Sequence, residues 1–395
     1  MKLERRDDQP RALTVMAGKR LGSFEFLTDG AGRVLKRRPT SVPAEHDAIR
    51  TLGLVDIQVN GFGGVDFNSE TLTPDDVDAA LMAMLAHGAT QCLPTIITSS
   101  VDVMSRRLRA LDAAVAASRL GPWMVRGYHV EGPFLSPEEG YAGCHPKDQM
   151  RAGDAGVLDR LADGLVRPIR ILTVAPEREG VLELIPQAAR RGISVALGHT
   201  NAGREVVEAA VAAGARMSTH LGNGIAHLLP KNDNPLFAQL GEDHLFASFI
   251  ADGIHIPPYM ARLYLRAKGA ERSVLVTDAT AGAAAEPGIY TLGDVEIERC
   301  ADGVVREPGS PYLGGSSATM EQVVRNVINW LDLTLSEAVD LARLNPLAAL
   351  DMPAVPDVGH ALEFVEWALR PDGPHVVAAG VGPWNLIVDE GQDLI

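Results

Sequence analysis

The 395-residue chain has only three cysteines, Cys92, Cys144 and Cys300, far apart in sequence. That excludes a disulfide framework and a cysteine-rich zinc site, and it fits a reducing, cytoplasmic setting. There is no basic excess: 36 Lys and Arg against 51 Asp and Glu leave a formal net charge of −15. Such a balance argues against nucleic acid as a partner and against polybasic contact with a membrane. No stretch approaches the roughly 18 apolar residues of a membrane span. The opening "MKLERRDDQP" has no apolar core of the secretory type. Gly-X-Gly-X-X-Gly is missing after the first strand-like run, which removes the main dinucleotide-binding signal. Solenoid-type repeats and low-complexity tracts are missing too.

What is present is a long rhythm. Eight strand-like runs can be read: "GLVDIQVN" (53–60), "QCLPTIIT" (91–98), "VRGYHVEG" (125–132), "IRILTVAP" (169–176), "ISVALGHT" (193–200), "RMSTHLGN" (216–223), "LFASFIAD" (245–252) and "SVLVTDAT" (273–280). Amphipathic helical patterns such as "TPDDVDAALMAMLAHG" and "GREVVEAAVAAGA" lie between most of them. Thr73 followed by Asp76 suits a capping arrangement at the first. Strands alternating with crossover helices predict a parallel sheet, and eight such units favour a closed (β/α)8 TIM-type barrel. The flanks read differently. "ALTVMAG", "SFEFLTDG", "PHVVAAG" and "WNLIVDEG" are short strand-like pieces separated by turns. The expected division is residues 1–52 and 353–395 as the two halves of one small β-domain around a barrel of residues 53–352.

In a parallel barrel the active site forms at the C-terminal ends of the strands. Asp56, Gln58 and Asn60 lie near the end of the first strand and Thr95 near the end of the second. Glu131 ends the third, Glu177 follows the fourth, His199 ends the fifth, His220 the sixth, Asp252 the seventh and Asp278 the eighth. Only a barrel brings residues so far apart in sequence to one mouth. A carboxylate and two imidazoles, Glu131, His199 and His220, are the usual composition of a catalytic metal site with one open position. Asp278 beside them could carry protons as a general acid/base. Singly, each residue reads more simply as a satisfied polar group. Four in phase at strand ends do not.

His129, two before Glu131, shares its strand face and is expected in the pocket or behind the ligands. His87 precedes a helix-ending Gly and reads as a structural C-terminal cation. His227 and His244 fall in loops and read as surface residues. "NGFGG" (60–64) reads as a tight turn close to a ligand. No strand ends on Lys, which disfavours a Schiff-base aldolase. A non-catalytic binding barrel is disfavoured because the constellation is complete.

Together the stretches "GLVDIQVNGFGGVDFN", "LPTIITS", "YHVEGPFLSPEEGYAGCHP", "VALGHTNA", "STHLGNGI", "ADGIHI", "LVTDATAGA" and "GGSSATMEQVVRN" resemble the N-acetylglucosamine-6-phosphate deacetylase family of the amidohydrolase superfamily. The resemblance runs in order over roughly 53–350. It implies a (β/α)8 barrel with a small β-sandwich built from both termini, and a homodimer. It implies Glu131, His199 and His220 as ligands of one tightly held divalent ion, zinc or iron, and Asp278 as the acid/base. It implies His145, Asn223, Gly224 and His255 as substrate contacts. Where superfamily members with two metals carry His-X-His, this chain has Gln58 and Asn60, so one ion is expected, with those amides and His129 behind the ligands. Where the family carries an Arg that reaches the phosphate of a neighbouring subunit's substrate, "AHLLPKNDNPLFAQ" (226–239) offers Lys231 and Asp233, and Lys is a point charge where Arg is a fork. The N-terminal flank is also shorter than usual, and "HALEFVEWALRPDGPHVVAAG" is atypical. Two substrates stay open: N-acetylglucosamine-6-phosphate or a related sugar, and an unphosphorylated acetamido sugar or other N-acyl or cyclic amide.

Overall fold

The computed structural model describes residues 1–7, 9–41, 49–310 and 312–388. Eight parallel strands stand at its centre: Leu54–Val59, Ala89–Ile97, Tyr128–Glu131, Ile169–Val174, Ser194–Leu197, Ala215–Ser218, Phe246–Ile250 and Ser273–Val276. Each pairs with the next in sequence order. The sheet closes on itself through a bridge between Val59 and Ala279 and through the Asp278 N–H, which donates to the Gln58 carbonyl at 2.9 Å. All eight expected runs are strands, most of them shorter than the apolar stretches that announce them.

The helices sit where the Ala-rich patterns lie. The first, Pro74–Ala86, starts on the capping box expected from Thr73 and Asp76, with Pro74 at its first position. Proline is tolerated there because that N–H has no partner within the helix. Inside the barrel, Val55, Ile57, Leu93, Ile171, Met217, Phe246 and Val274 fill the interior, and Leu347 and Leu350 pack against them. A second, larger apolar layer lies between the strands and the surrounding helices. The interior is thus a packed core and not a channel, so a ligand is confined to the end of the barrel.

Both flanks join one eight-stranded sheet. Its order is Lys2–Arg5, Trp384–Ile387, Gly373–Val381, Glu363–Arg370, Ile49–Leu52, Arg11–Gly18, Gly22–Thr28, Val34–Thr40. All four expected pieces are strands in it, although the last residues of "WNLIVDEG" lie outside the described residues. The strands at Lys2–Arg5, Val34–Thr40 and Glu363–Arg370 were not anticipated: "VLKRRPT" and "EFVEWALR" carry charges that mask their alternation. Buried Arg343 ties sheet to barrel, donating to the Gly53 carbonyl at 2.6 Å and to Glu363 at 3.1 Å.

One element was not expected. After the eighth barrel strand, Gly288–Leu292, Val295–Arg299 and Val305–Arg306 form a three-stranded antiparallel sheet. A two-residue Gly293-Asp294 turn between "GIYTL" and "VEIER" is the hairpin signal that would have found it. This insertion supplies part of the site wall.

Candidate active site

The third strand ends on Glu131. His199, His220 and Asp278 each lie two residues past their strand ends, at Leu197, Ser218 and Val276. All three have left-handed backbones, with φ of 50°, 30° and 51°. Such conformations cost free energy for residues with a Cβ and gather at functional sites. Here the surrounding bonds hold them. The His220 N–H donates to Ser248 Oγ at 2.8 Å, the His199 carbonyl accepts from Ser136 N at 3.0 Å, and Asp278 N is fixed on Gln58. The turn swings each side chain from the strand over the barrel mouth.

There the groups converge. Glu131 Oε1 lies 3.0 Å from His220 Nε2 and 3.2 Å from His199 Nε2. One ligand atom from each of the three falls within 4.8 Å of the others, and all three residues are buried. His199 Nδ1 donates to the Tyr141 carbonyl at 2.8 Å, which orients the ring so that Nε2 faces the carboxylate. His220 Nδ1 and His145 Nδ1 are buried without a protein partner. Two glycines let the chain close round His199: a Cβ on Gly224 would sit 2.7 Å from its Nδ1, and one on Gly143 3.1 Å from its Cε1. Two imidazoles and a carboxylate converging on one point fit a divalent cation.

Electrostatics follow from burial and pairing. Burial opposes ionisation of Glu131, yet its hydrogen bonds with His199 and His220 and the positive charge of His220 hold its carboxyl well below the usual range. Burial would lower His220, but its bond to Glu131 raises it. Burial pushes Asp278 up to about 6, while the charge of His220 opposes the shift. Asn60 Nδ2 donates to Asp278 Oδ1 at 2.8 Å and sets its orientation. Gln58 Nε2 reaches Glu131 Oε2 at 3.3 Å. Both amides therefore touch the charged groups from behind.

The other expected residues divide. His145 Nε2 is 4.0 Å from Glu131 Oε1, its ring packed edge-on to His199, and burial drives it down to about 3, so it stays neutral. Asn223 and Gly224 line the cavity, and Asn223 Nδ2 donates to the His220 carbonyl at 3.1 Å. His255 lines it as well, its Nδ1 held 2.7 Å from Asp252 Oδ2. His129 is engaged on both nitrogens, with the Ile57 carbonyl at 3.1 Å and Thr173 Oγ1 at 2.7 Å. It braces the strands and has no nitrogen left for a reacting oxygen. Lys231 is exposed and stands outside the cavity of its own chain. Glu177 binds Thr200 and Asn201, away from the centre. His87 caps its helix and meets Glu321 at 3.1 Å, as a structural residue should.

The cavity over this centre measures about 610 Å³. Sequence reasoning missed several of its walls. His227 is exposed, as expected, and also borders the cavity, its ring stacked on Tyr312 with centroids 6.3 Å apart. Leu292, Tyr312 and Leu313 arrive with the unanticipated insertion, and Met260 and Tyr264 from the helix Pro258–Lys268. Met260, Leu263 and Ala261 read in sequence as one ordinary amphipathic helix, so nothing marked the residues that face a ligand. Cys144 lines the cavity too, but burial pushes its thiol up to about 12, which rules it out as a nucleophile near neutrality.

Comparison with known proteins agrees with the geometry. No family model matches the chain. The chain is 31% identical over 332 residues to an N-acetylgalactosamine-6-phosphate deacetylase of Shewanella sp. (strain ANA-3), covering 83% of this chain and 81% of that protein. It is 35% identical over 331 residues to the N-acetylglucosamine-6-phosphate deacetylase of Mus musculus, covering 79% and 78%. Among solved structures, a point variant of the N-acetyl-D-glucosamine-6-phosphate deacetylase of Mycobacterium smegmatis, in complex with N-acetyl-D-glucosamine-6-phosphate, superposes with a TM-score of 0.82 at 32% identity, over 95% of this chain and 99% of that one. Fold, strand-end constellation and sequence point the same way: the chain is an amide hydrolase and belongs to the N-acetylglucosamine-6-phosphate deacetylase family of the amidohydrolase superfamily.

Proposed function

We propose that the enzyme removes the N-acetyl group from an N-acetylated amino sugar, N-acetylglucosamine-6-phosphate or a related sugar, with one divalent metal ion, zinc by preference, held by Glu131, His199 and His220. The observation that carries this is the convergence of those three side chains beside Asp278 at the mouth of a barrel whose relatives are amino-sugar deacetylases. Two imidazoles and a carboxylate suit zinc, though iron accepts the same set. Gln58 and Asn60 are neutral amides already bonded to Glu131 and Asp278, so they leave no ligand set for a second ion. When bound, the metal polarises the amide carbonyl and lowers the pKa of water.

The chain's own residues supply the rest. Asp278 as carboxylate takes the proton of the attacking water and delivers it to the departing amine, since an amide nitrogen leaves only when protonated. Its raised pKa suits a group that must do both near neutrality. Asn60 keeps the carboxylate aimed. Neutral His145 and the Asp252-anchored His255 contact the polar groups of the sugar, and the Asn223–Gly224 turn holds it against His199. The test is release of acetate by the metal-reconstituted enzyme from a panel of acetylated amino sugars, phosphorylated and free. Failure to release acetate from any of them would reject the reading.

A further inference from the structure

An amide carbon carries three groups in one plane: the oxygen, the nitrogen and the acyl carbon. In the reaction proposed above, the oxygen faces the site at Glu131, His199 and His220, and the nitrogen lies within reach of Asp278, which protonates it. The nitrogen also carries the sugar. Asn223, Gly224 and His255, which border the cavity on the sugar's side, follow the sixth and seventh strands. The acyl carbon must then point the other way, towards the second strand, which stands opposite the sixth in a closed eight-stranded barrel. That corner of the cavity is apolar. Ile97 is the last residue of the second strand and is in register with Glu131 on the third. Leu292 comes from the hairpin after the eighth strand, and Cys144 from the loop after the third. All three border the cavity, and they pack in one cluster with Ile297 and Val305. Ile97 is 3% exposed and Leu292 2%.

One short segment braces this corner from two sides. In "VDFN" (65–68), Asn68 Oδ1 accepts from the Ile97 N–H at 2.9 Å, and Asn68 Nδ2 donates to the Thr95 carbonyl at 3.0 Å. Asp66 Oδ2 accepts from the Gly293 N–H at 2.8 Å, at the tip of the hairpin that carries Leu292. Asp66 Oδ1 accepts from the Asn68 N–H at 2.8 Å, which links the two braces. The tip is tied again through Asp294, which accepts from Arg107 Nη2 at 2.7 Å and from Ser99 Oγ at 3.1 Å. A Cβ on Gly293 would fall 2.9 Å from Arg107 Nη1, so the turn rests directly on that guanidinium. Charge-assisted bonds of this kind resist displacement by a ligand. We infer that Ile97, Cys144 and Leu292 form an acyl pocket that measures the substrate, receiving the methyl of an acetyl group and turning away longer acyl chains. The inference rests on the deacetylase reading and specifies which N-acyl groups that site accepts. A methyl gains from burial against aliphatic side chains, whereas each further methylene has to push back a braced wall, and overpacking is costly.

The test compares the N-formyl, N-acetyl, N-propionyl and N-butyryl derivatives of glucosamine 6-phosphate with the metal-loaded enzyme. Release of the free amine is the signal, so one assay serves every acyl group. From acetyl to propionyl kcat/KM should fall by about tenfold or more, the usual worth of one methylene in an apolar pocket, and it should fall again at butyryl. Leu292→Ala should raise the propionyl-to-acetyl ratio by about tenfold. Ile97→Val, which removes a single methyl group and keeps the branched strand residue, should move the ratio in the same direction and stands in if the first variant does not fold. Propionyl hydrolysed as fast as acetyl by the parent, or a ratio unmoved in the variants, would overturn the inference and leave the deacetylase reading standing. Release from none of the four would strike that reading instead. The pocket is then decided by calorimetric binding of the same four compounds to the parent, which does not turn them over. Acetyl bound about tenfold more tightly than propionyl supports the pocket, and equal affinities, or binding of none, overturn it.

Discussion

Replacing Asp278 by Asn tests the centre most sharply, because the local structure favours a clean substitution. Residue 278 sits at φ 51°, a left-handed conformation that Asn tolerates better than most residues and Ala poorly. Asn is isosteric, and its side-chain oxygen can still accept from Asn60 Nδ2, which now donates to Oδ1 at 2.8 Å. Asp278 is not one of the three converging ligands, so metal content should hold near that of the parent. What disappears is proton transfer. A positioned acid/base contributes about 10²- to 10⁴-fold, or roughly 2.7 to 5.5 kcal/mol of transition-state stabilisation. Steady-state release of acetate beside metal analysis on the same sample should show that fall in kcat with the metal unchanged. The pH profile supplies a second readout. Burial raises Asp278 to about 6, and a cation at the ligand trio pulls it back down. The carboxylate needed as base exists above its pKa, so kcat/KM should fall on an acid limb at or below about pH 6, and that limb should vanish in Asp278→Asn. Turnover within tenfold of the parent, or an unchanged acid limb, would refute the assignment.

Three further outcomes are expected. His199→Ala should lose metal and activity together, with the parent holding about one equivalent per chain; elemental analysis showing two dialysis-resistant equivalents in the parent, or full metal in the variant, would contradict the ligand set. Asp56 is fully buried and pushed up to about 7, above its unfolded value of roughly 3.9, so the folded state holds the extra proton, and Asp56's contribution is complete below about pH 4 and lost as pH rises through 7. Stability should therefore decline with pH across 5–7, and Asp56→Asn should flatten that slope by up to about 1.4 kcal/mol per pH unit; denaturant titrations giving equal slopes would show that Asp56 does not titrate there. Arg343→Met should destabilise the chain by about 3 kcal/mol, because it strands the Gly53 carbonyl and takes one of the two cations from buried Glu363; a midpoint shift too small to resolve would show that Arg126, the other cation on Glu363, satisfies it alone.

Much of this was legible in the sequence because barrel strands and crossover helices are local patterns with a regular period. Glu131, His199, His220 and Asp278 were visible for a different reason: they break the pattern, ending apolar runs on ionisable groups. Contacts that depend on loops were not visible. His227 carries no local signal that separates a cavity wall from a surface loop, and the loop that holds Lys231 carries none that fixes which residues face its own chain's cavity. The hairpin at 288–299 did have a signal, the Gly293-Asp294 turn, but two short strands after a barrel have no fixed place in that fold, so the periodicity of the eight units gave no reason to look for them.

The closing seam shows why the acid/base sits on the last strand. The first and last strands share few ladder bonds. Their ends are joined instead by a small set of contacts centred on one buried carboxylate. Asp56 accepts from Thr277 Oγ1 at 2.5 Å and from the N–H groups of Thr277 and Gln58 at 3.3 Å each. The Gln58 carbonyl then accepts from Asp278 N, and Asn60, two residues on, binds the Asp278 side chain. A carboxylate with no cation beside it is costly to bury, and an apolar pair at 56 and 277 would close the barrel without that cost. What an apolar pair could not do is hold the peptides on both sides of the seam at fixed hydrogen-bonding positions, and so keep residue 278 in its left-handed turn. The seam therefore gives up stability for geometry at the one place where a proton must be moved between two defined points.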